Sequence, residues 1–230
     1  LKARDELNDI IRSFVKNYKL ELIERTGETE VISGFQVGMQ YNEKNDVASI
    51  YRVQNPIYWI SSLFKDQNYY IEGVFSYNEA LLEDRINKLN CINRDVTGPE
   101  NVSFRYTDGT YMIVEEIYGN SIDRDKLHKA VEMNILKGIT IMDLNDSDCY
   151  KNPKYTLNSA KTPETKKLLD KYVSSKITYL FGNENEILDG NRINQWLSVD
   201  ENLEVVINHK YVYDYVKELS KKYDTAGVAR

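Results

Sequence analysis

Any chemistry in this chain would have to come from few residues. His128 and His209 are its only imidazoles, and Cys91 and Cys149 its only thiols, in 230 residues. A Cys–His pair can perform nucleophilic catalysis. Cys149, however, follows Asp146-Ser147-Asp148, whose negative charge raises a thiol pKa, and no catalytic motif surrounds either cysteine. His128 lies between Lys126 and Lys129 in a helical stretch and His209 opens another, so both read as exposed or cap-adjacent. Asp143, Asp146 and Asp148 form an acidic run, but the Gly at the sixth position and the Glu at the twelfth of a calcium loop are absent. Gly34-x-x-x-Gly38 lacks the Gly-Lys-Ser/Thr ending of a phosphate loop. Glu115-Glu116 and Asp123-Arg124-Asp125 offer paired carboxylates for acid–base work, and helix-terminus charge accounts for Asp123 and Asp125 equally well. The residues predict no catalytic site, no metal and no cofactor.

The elements around these residues are easier to read. Leu7, Ile10, Ile11, Phe14, Val15 and Tyr18 recur with helical period and predict a helix with one buried face. Residues 20–24 and 29–32 flank a Gly-containing turn and predict a hairpin. The plan recurs from about residue 162: a helix with Thr162 as N-cap and Pro163 at its first position, a Gly182-Asn183 turn between two strands, then Gly190. Lys19-Leu20 aligns with Lys176-Ile177, and Gly34 with Gly190, which suggests a duplicated helix-and-hairpin unit.

Between the copies, Ser76-Tyr77-Asn78-Glu79 has capping-box spacing ahead of Leu82, Ile86 and Leu89. Thr107-Asp108-Gly109-Thr110 turns a second hairpin, 102–106 into 111–114. A helix is predicted from Asp123 to Lys137, ended by Gly138, and a strand over 139–142. A last helix, from about 208 to 223, sets Tyr211, Val212, Tyr215, Val216 and Leu219 on one face. The fold class that follows is α+β, with small antiparallel sheets each covered by helices. The expected domains are 1–95 and 96–230, with a polar linker at about 145–162.

Charge narrows the partners. Lys+Arg 30 against Asp+Glu 36 gives a net −6, which argues against nucleic acid. Two cysteines fit either one bridge or two free thiols. The opening Leu1-Lys2 has no initiator Met and reads as a segment of a longer protein. Eighteen tyrosines stand against 6 Phe and 2 Trp. Tyr18, Tyr172, Tyr211 and Tyr215 fall on apolar helix faces and Tyr106, Tyr111 and Tyr179 on strands, so packing absorbs much of that excess, and the aromatic-rich stretch 56–77 is left for recognition.

Three tracts carry a resemblance. Tyr118-Gly119-Asn120-Ser121-Ile122-Asp123 through Lys126-Leu127, the tract 176–207 with Trp196-Leu197, and the ending Tyr215-Val216 through Tyr223-Asp224-Thr225-Ala226-Gly227 resemble the peptidoglycan-binding domain that precedes the catalytic domain in bacterial L,D-transpeptidases. The likeness covers roughly residues 70–230 and, with the first helix-hairpin unit, most of the chain. The family's catalytic Gly-Cys pair is absent: Cys91 follows Asn90 and Cys149 follows Asp148.

The resemblance therefore implies a non-catalytic region that binds or positions peptidoglycan. The parent enzyme's cysteine nucleophile, which forms 3→3 peptide cross-links, would lie in a following catalytic domain, the expected intramolecular partner. It also implies a location on the cell-wall side, with a membrane anchor ahead of this segment. A structural stalk, or the same domain ahead of a vancomycin-B-type resistance protein W domain, are the alternatives. Candidate wall contacts are Tyr58, Trp59, Tyr69, Tyr70, Trp196 and Tyr213, with Tyr106 and Tyr111 behind them; aromatic faces stack on sugars and their polar edges hydrogen-bond.

Overall fold

The computed structural model describes residues 2–42 and 73–224. Their elements in chain order are α1 (Lys2–Asn17), β1 (Lys19–Ile23), β2 (Thr29–Ser33), β3 (Gln40–Tyr41), β4 (Phe75–Ser76), α2 (Glu79–Asn87), α3 (Asn90–Asn93), β5 (Ser103–Thr107), β6 (Thr110–Val114), α4 (Arg124–Lys137), β7 (Ile141–Asp143), α5 (Lys161–Val173), β8 (Ile177–Phe181), β9 (Glu184–Leu188), α6 (Gly190–Ile193), β10 (Leu197–Val199), β11 (Val205–Ile207) and α7 (His209–Tyr223). The architecture is α+β. Two compact units interleave along the chain, one of Leu1–Gly98 with Asn120–Lys151, the other of Pro99–Gly119 with Asn152–Arg230.

In the first unit, β1 carries Leu20 and Leu22 two residues apart, so both face the core, and Ile32 on β2 and Met142 on β7 join them. β1 pairs antiparallel with β2, Leu20 opposite Ile32, and parallel with β7, Glu21 opposite Ile141. The parallel pairing is not expected from hairpin patterning, which reads only pairs adjacent in sequence. Over the sheet lie Leu127, Val131 and Ile135 of α4, spaced four apart, and Leu82 and Ile86 of α2. At the ends of α4, the Asp123 side chain accepts from Lys126 N–H (3.2 Å) and Gly138 closes the helix at φ 66°, as the sequence predicts.

Several local expectations are corrected. Ser76 lies in β4, and Asn78 caps α2 by accepting from Leu81 N–H at 3.1 Å, because the chain does not leave the strand until residue 77. Ile10 on α1 is 65% exposed, and that helix buries only the face bearing Phe14 and Val15. The polar stretch after Asn145 contributes Cys149 and Tyr150 to the core, and an isolated bridge joins Ile122 to Tyr150.

Cys91 and Cys149 are free and buried. Burial pushes the Cys91 thiol up to about 12, aided by Glu30 and Glu24, and the Cys149 thiol up to about 11, aided by Asp148 and Asp123. Neither thiol is ionised near neutrality. A thiol-reactive chromophore at pH 8 is expected to leave both unmodified in the folded chain and to titrate two per chain in guanidinium. Prompt labelling without denaturant would contradict this burial.

The second unit is built on three antiparallel strand pairs, β5–β6, β8–β9 and β10–β11, and two longer helices. β5 and β6 pair through a tight turn with Asp108 at φ 50° and Gly109 at φ 87°, the conformation that Asp-Gly adopts readily. Asp170 of α5 accepts from Tyr111 N–H (2.8 Å) and from the Thr110 hydroxyl (3.0 Å), fixing the helix on the strand pair. Burial raises the Asp170 carboxyl, but Lys166, Tyr111 and Thr110 together hold it below its ordinary value. α5 starts earlier than Thr162: the Thr162 hydroxyl is buried inside the first turn and donates to Thr156 C=O (2.8 Å) instead of capping. β8 and β9 turn at Gly182, φ 64°. Leu169, Val173, Leu188, Ile193, Tyr111 and Tyr215 form the core of this unit.

Candidate functional site

A cleft of about 360 Å³ in the second unit opens between residues 192–196 and α7. Asp189 starts the first wall: its carboxylate accepts from Asn191 N–H (3.0 Å) and Arg192 N–H (3.3 Å), winding α6 and a following 3-10 turn. Arg192, Gln195 and Trp196 therefore fall on one face, at spacings of three and four. The second wall is α7. Its cap, Asn208, donates its N–H to Trp196 C=O (2.7 Å) and accepts at its side chain from Lys210 N–H (3.1 Å), which ties the two walls at one end. At the other end the Tyr223 ring stacks on Phe181 at 3.9 Å, while Lys222 donates to Glu186 at 2.6 Å. Tyr211, Asp214, Tyr215 and Glu218 then line the cleft at helical spacing.

Inside, the Trp196 and Tyr215 rings lie 5.4 Å apart, tilted by 51°. The Arg192 guanidinium stands 5.5 Å over the Tyr215 ring, within cation–π range. Tyr215 is 9% exposed, and its hydroxyl is shut off from solvent without a hydrogen-bond partner. Burial pushes that phenol's pKa up, so it is neutral and able to donate. A buried phenol without a partner costs free energy. An aromatic floor, one guanidinium, one amide and two carboxylates suit a saccharide or a short peptide. The lining has no thiol or imidazole with which to attack either.

The structure thus brings Trp196 together with partners that the sequence did not single out. Tyr213 points elsewhere: it is 64% exposed and does not line the cleft, its ring 5.9 Å from Lys217 Nζ. Tyr211 and Val216 leave the packing face assigned to them, at 50% and 55% exposed, because residues 192–196 cover only the Tyr215 side of α7. Tyr111 is buried in the core and Tyr106 reaches Asn191 at 3.2 Å. Tyr58, Trp59, Tyr69 and Tyr70 lie outside the described residues.

A second grouping lies in the first unit. His128, read as exposed, is half-buried on α4, its Nε2 at 3.2 Å from Glu79 Oε1 on α2, and Glu83 brings a second carboxylate to the same place. The Tyr77 hydroxyl touches Glu79 (2.7 Å) and Glu132 (2.8 Å), and both burial and those carboxylates raise its pKa. Glu79-x-x-x-Glu83 and His128-x-x-x-Glu132 are four-residue spacings on two helices, a signal present in the sequence but silent until α2 and α4 are known to be neighbours.

No curated protein and no solved structure matches the chain. Residues 31–140, just under half of it, match the model of a family described as "Putative peptidoglycan binding domain". The match begins in β2 and runs through α2, α3, the β5–β6 hairpin and α4. The aromatic cleft, at 192–218, lies beyond it.

Proposed function

We propose that the chain is a non-catalytic peptidoglycan-binding region of a cell-wall L,D-transpeptidase. The family match over residues 31–140 is the observation that carries the wall-binding part of this reading. Duplication extends it to the second unit. In both units a helix leads into a hairpin and then into a glycine, Gly34 or Gly190, set against a carbonyl in the last turn of that helix, Val15 or Val173. A short strand pair then precedes an Asn-capped helix, with Asn78 or Asn208 as the cap. On this reading the cleft of the second unit is a wall contact in which Trp196 and Tyr211 stack on sugar rings, Arg192 takes a carboxylate of the glycopeptide, and Gln195, Asp214 and Glu218 take hydroxyls, amides or amines. Tyr58, Trp59, Tyr69, Tyr70 and Tyr213 remain further proposed contacts.

The net charge of −6 assigns the affinity to stacking and hydrogen bonds and not to charge attraction for an anionic wall. Co-sedimentation with purified sacculi tests the reading. The chain is expected to pellet with the wall and Trp196→Ala to bind about 10-fold more weakly, a loss of about 1.4 kcal/mol. Retention no better than that of an acidic control protein would remove direct wall binding and leave the stalk. The transpeptidase parent is tested separately, by whether the encoded protein continues past Arg230 into a domain with a Gly-Cys-x-Arg motif; in its absence that parent is abandoned. An extracytoplasmic location and an anchor ahead of this segment belong to the same proposal.

A further inference from the structure

We propose that Glu79, Glu83 and His128 form a binding site for a divalent transition-metal ion, of which zinc is the representative. The three side chains place one ligand atom each within 4.8 Å of one another, all in the first unit. They come from α2 and α4, rigid elements held by Leu82, Ile86, Leu127 and Val131 in one core. Two ligands held about 2.1 Å from one ion stand about 3 to 4 Å apart. Glu79 Oε1 and His128 Nε2, at 3.2 Å, already meet that spacing, and the exposed Glu83 carboxylate has room to rotate in.

The imidazole supplies an independent indication. Its Nε2 is shut off from solvent and has no hydrogen-bond partner, although a carboxylate oxygen lies 3.2 Å away. Such a nitrogen is either a wasted donor or a lone pair waiting for an acceptor of electrons. The surroundings favour the second, because they are rich in negative charge: Glu79, Glu83 and Glu132 crowd one imidazole and one phenol, and Tyr77 has a single proton to offer two of those carboxylates. A dication neutralises that excess. An imidazole with two carboxylates selects a zinc-type ion over calcium or magnesium, which prefer all-oxygen sites. Glu132 and Tyr77 would then stand one step outside, orienting Glu79 as outer carboxylates and hydroxyls commonly orient ligands.

The test is calorimetric titration of zinc chloride into the chelator-treated chain, beside Glu83→Gln, His128→Gln and His209→Gln. The wild type is expected to bind one zinc per chain and to melt at a higher temperature with it than without. Glu83→Gln, at an exposed position that leaves the fold intact, is expected to weaken binding at least 10-fold and to lose the thermal shift. His128→Gln should abolish binding where circular dichroism shows it folded; if it does not fold, Glu83→Gln decides. His209→Gln should bind as the wild type does. The proposal is overturned if zinc binds without stoichiometry, if Glu83→Gln binds as tightly as the wild type, or if His209→Gln is the variant that loses the ion. The buried, un-ionised Cys91 and Cys149 do not compete for zinc in the folded chain.

Discussion

Replacing Arg94 with methionine is expected to destabilise the first unit by about 3 kcal/mol, as removal of one partner from a buried ion pair does. Glu24 is 4% exposed, and Arg94 holds it while also taking Glu28 at 2.6 Å. Burial raises the Glu24 carboxyl and neighbouring Glu30 and Glu28 raise it further, with Arg94 opposing them. Methionine keeps most of the side-chain volume but leaves the carboxylate buried without its cation, so the loss is electrostatic and not a cavity effect. The sign of the pH dependence follows. Without Arg94 the folded pKa of Glu24 climbs further above its unfolded value, so the folded state holds a proton that the unfolded state releases. The variant is then least impaired below the unfolded carboxyl pKa of about 4.3 and loses stability as pH rises through the folded value. Urea melts at pH 4 and pH 7.5 should show the gap from wild type widening with pH. Adding Glu24→Gln should close part of it at pH 7.5, and an equal loss at both pH values would refute the electrostatic account.

That pair also shows where sequence reading stops. Glu24 and Arg94 are 70 positions apart, and nothing in their local patterns marks them as partners. Features set by neighbours along the chain were legible: the hairpins β1–β2, β5–β6 and β8–β9 follow from turn residues such as Asp108-Gly109 and Gly182, and α4 from Asp123, Gly138 and its Leu127, Val131, Ile135 stripe. Features set by long-range packing were not. The parallel β1–β7 pairing and the burial of Cys149 and Tyr150 depend on contacts across more than a hundred residues of sequence. The caps lie two residues from Ser76 and Thr162, at Asn78 and at Ala160, which makes no side-chain cap bond, because the end of β4 and an earlier first turn of α5 set where each helix begins.

The candidate cleft divides in the same way. Trp196 stood out by residue type alone. Arg192, Gln195, Asp214 and Glu218 are ordinary surface residues until the 3-10 turn and α7 face each other, and Tyr215 looked like any core tyrosine. Its burial is real; what the pattern could not show is that its hydroxyl is shut off from solvent without a hydrogen-bond partner. Glu79, Glu83, His128 and Glu132 are likewise unremarkable until two helices meet. In both places the functional signal is a juxtaposition, while the sequence records only its components.

Gly190→Ala is expected to be among the most damaging single-methyl additions in the second unit, costing about 3 kcal/mol, at the upper end for overpacking. A Cβ at this position would lie 2.3 Å from Val173 C=O and 3.1 Å from the Tyr106 hydroxyl. The first obstacle is backbone in the last turn of α5, which a rotamer change cannot relieve. Separating α6 from α5 would also disturb Val173 and Ile193, both in the core of this unit, and shift Arg192 and Trp196 at the cleft. Gly34 is the control supplied by the first unit. There a Cβ meets Val15 C=O at 3.0 Å and Tyr18 Cβ at 3.2 Å, contacts that a few tenths of an ångström relieve, so Gly34→Ala should cost about 1 kcal/mol. The backbone at neither glycine requires a positive φ, so the comparison isolates the steric term. Denaturant melts give the two losses, and native-state hydrogen exchange assigns them: Gly190→Ala should lower protection in α5 and β9 while sparing β1 and α4. Equal losses for the two variants would mean that α5 yields as easily as α1 does, and would withdraw close helix–glycine contact as the reason for glycine at residue 190. Because Trp196 lies six residues beyond Gly190, the same variant should also weaken sacculus binding.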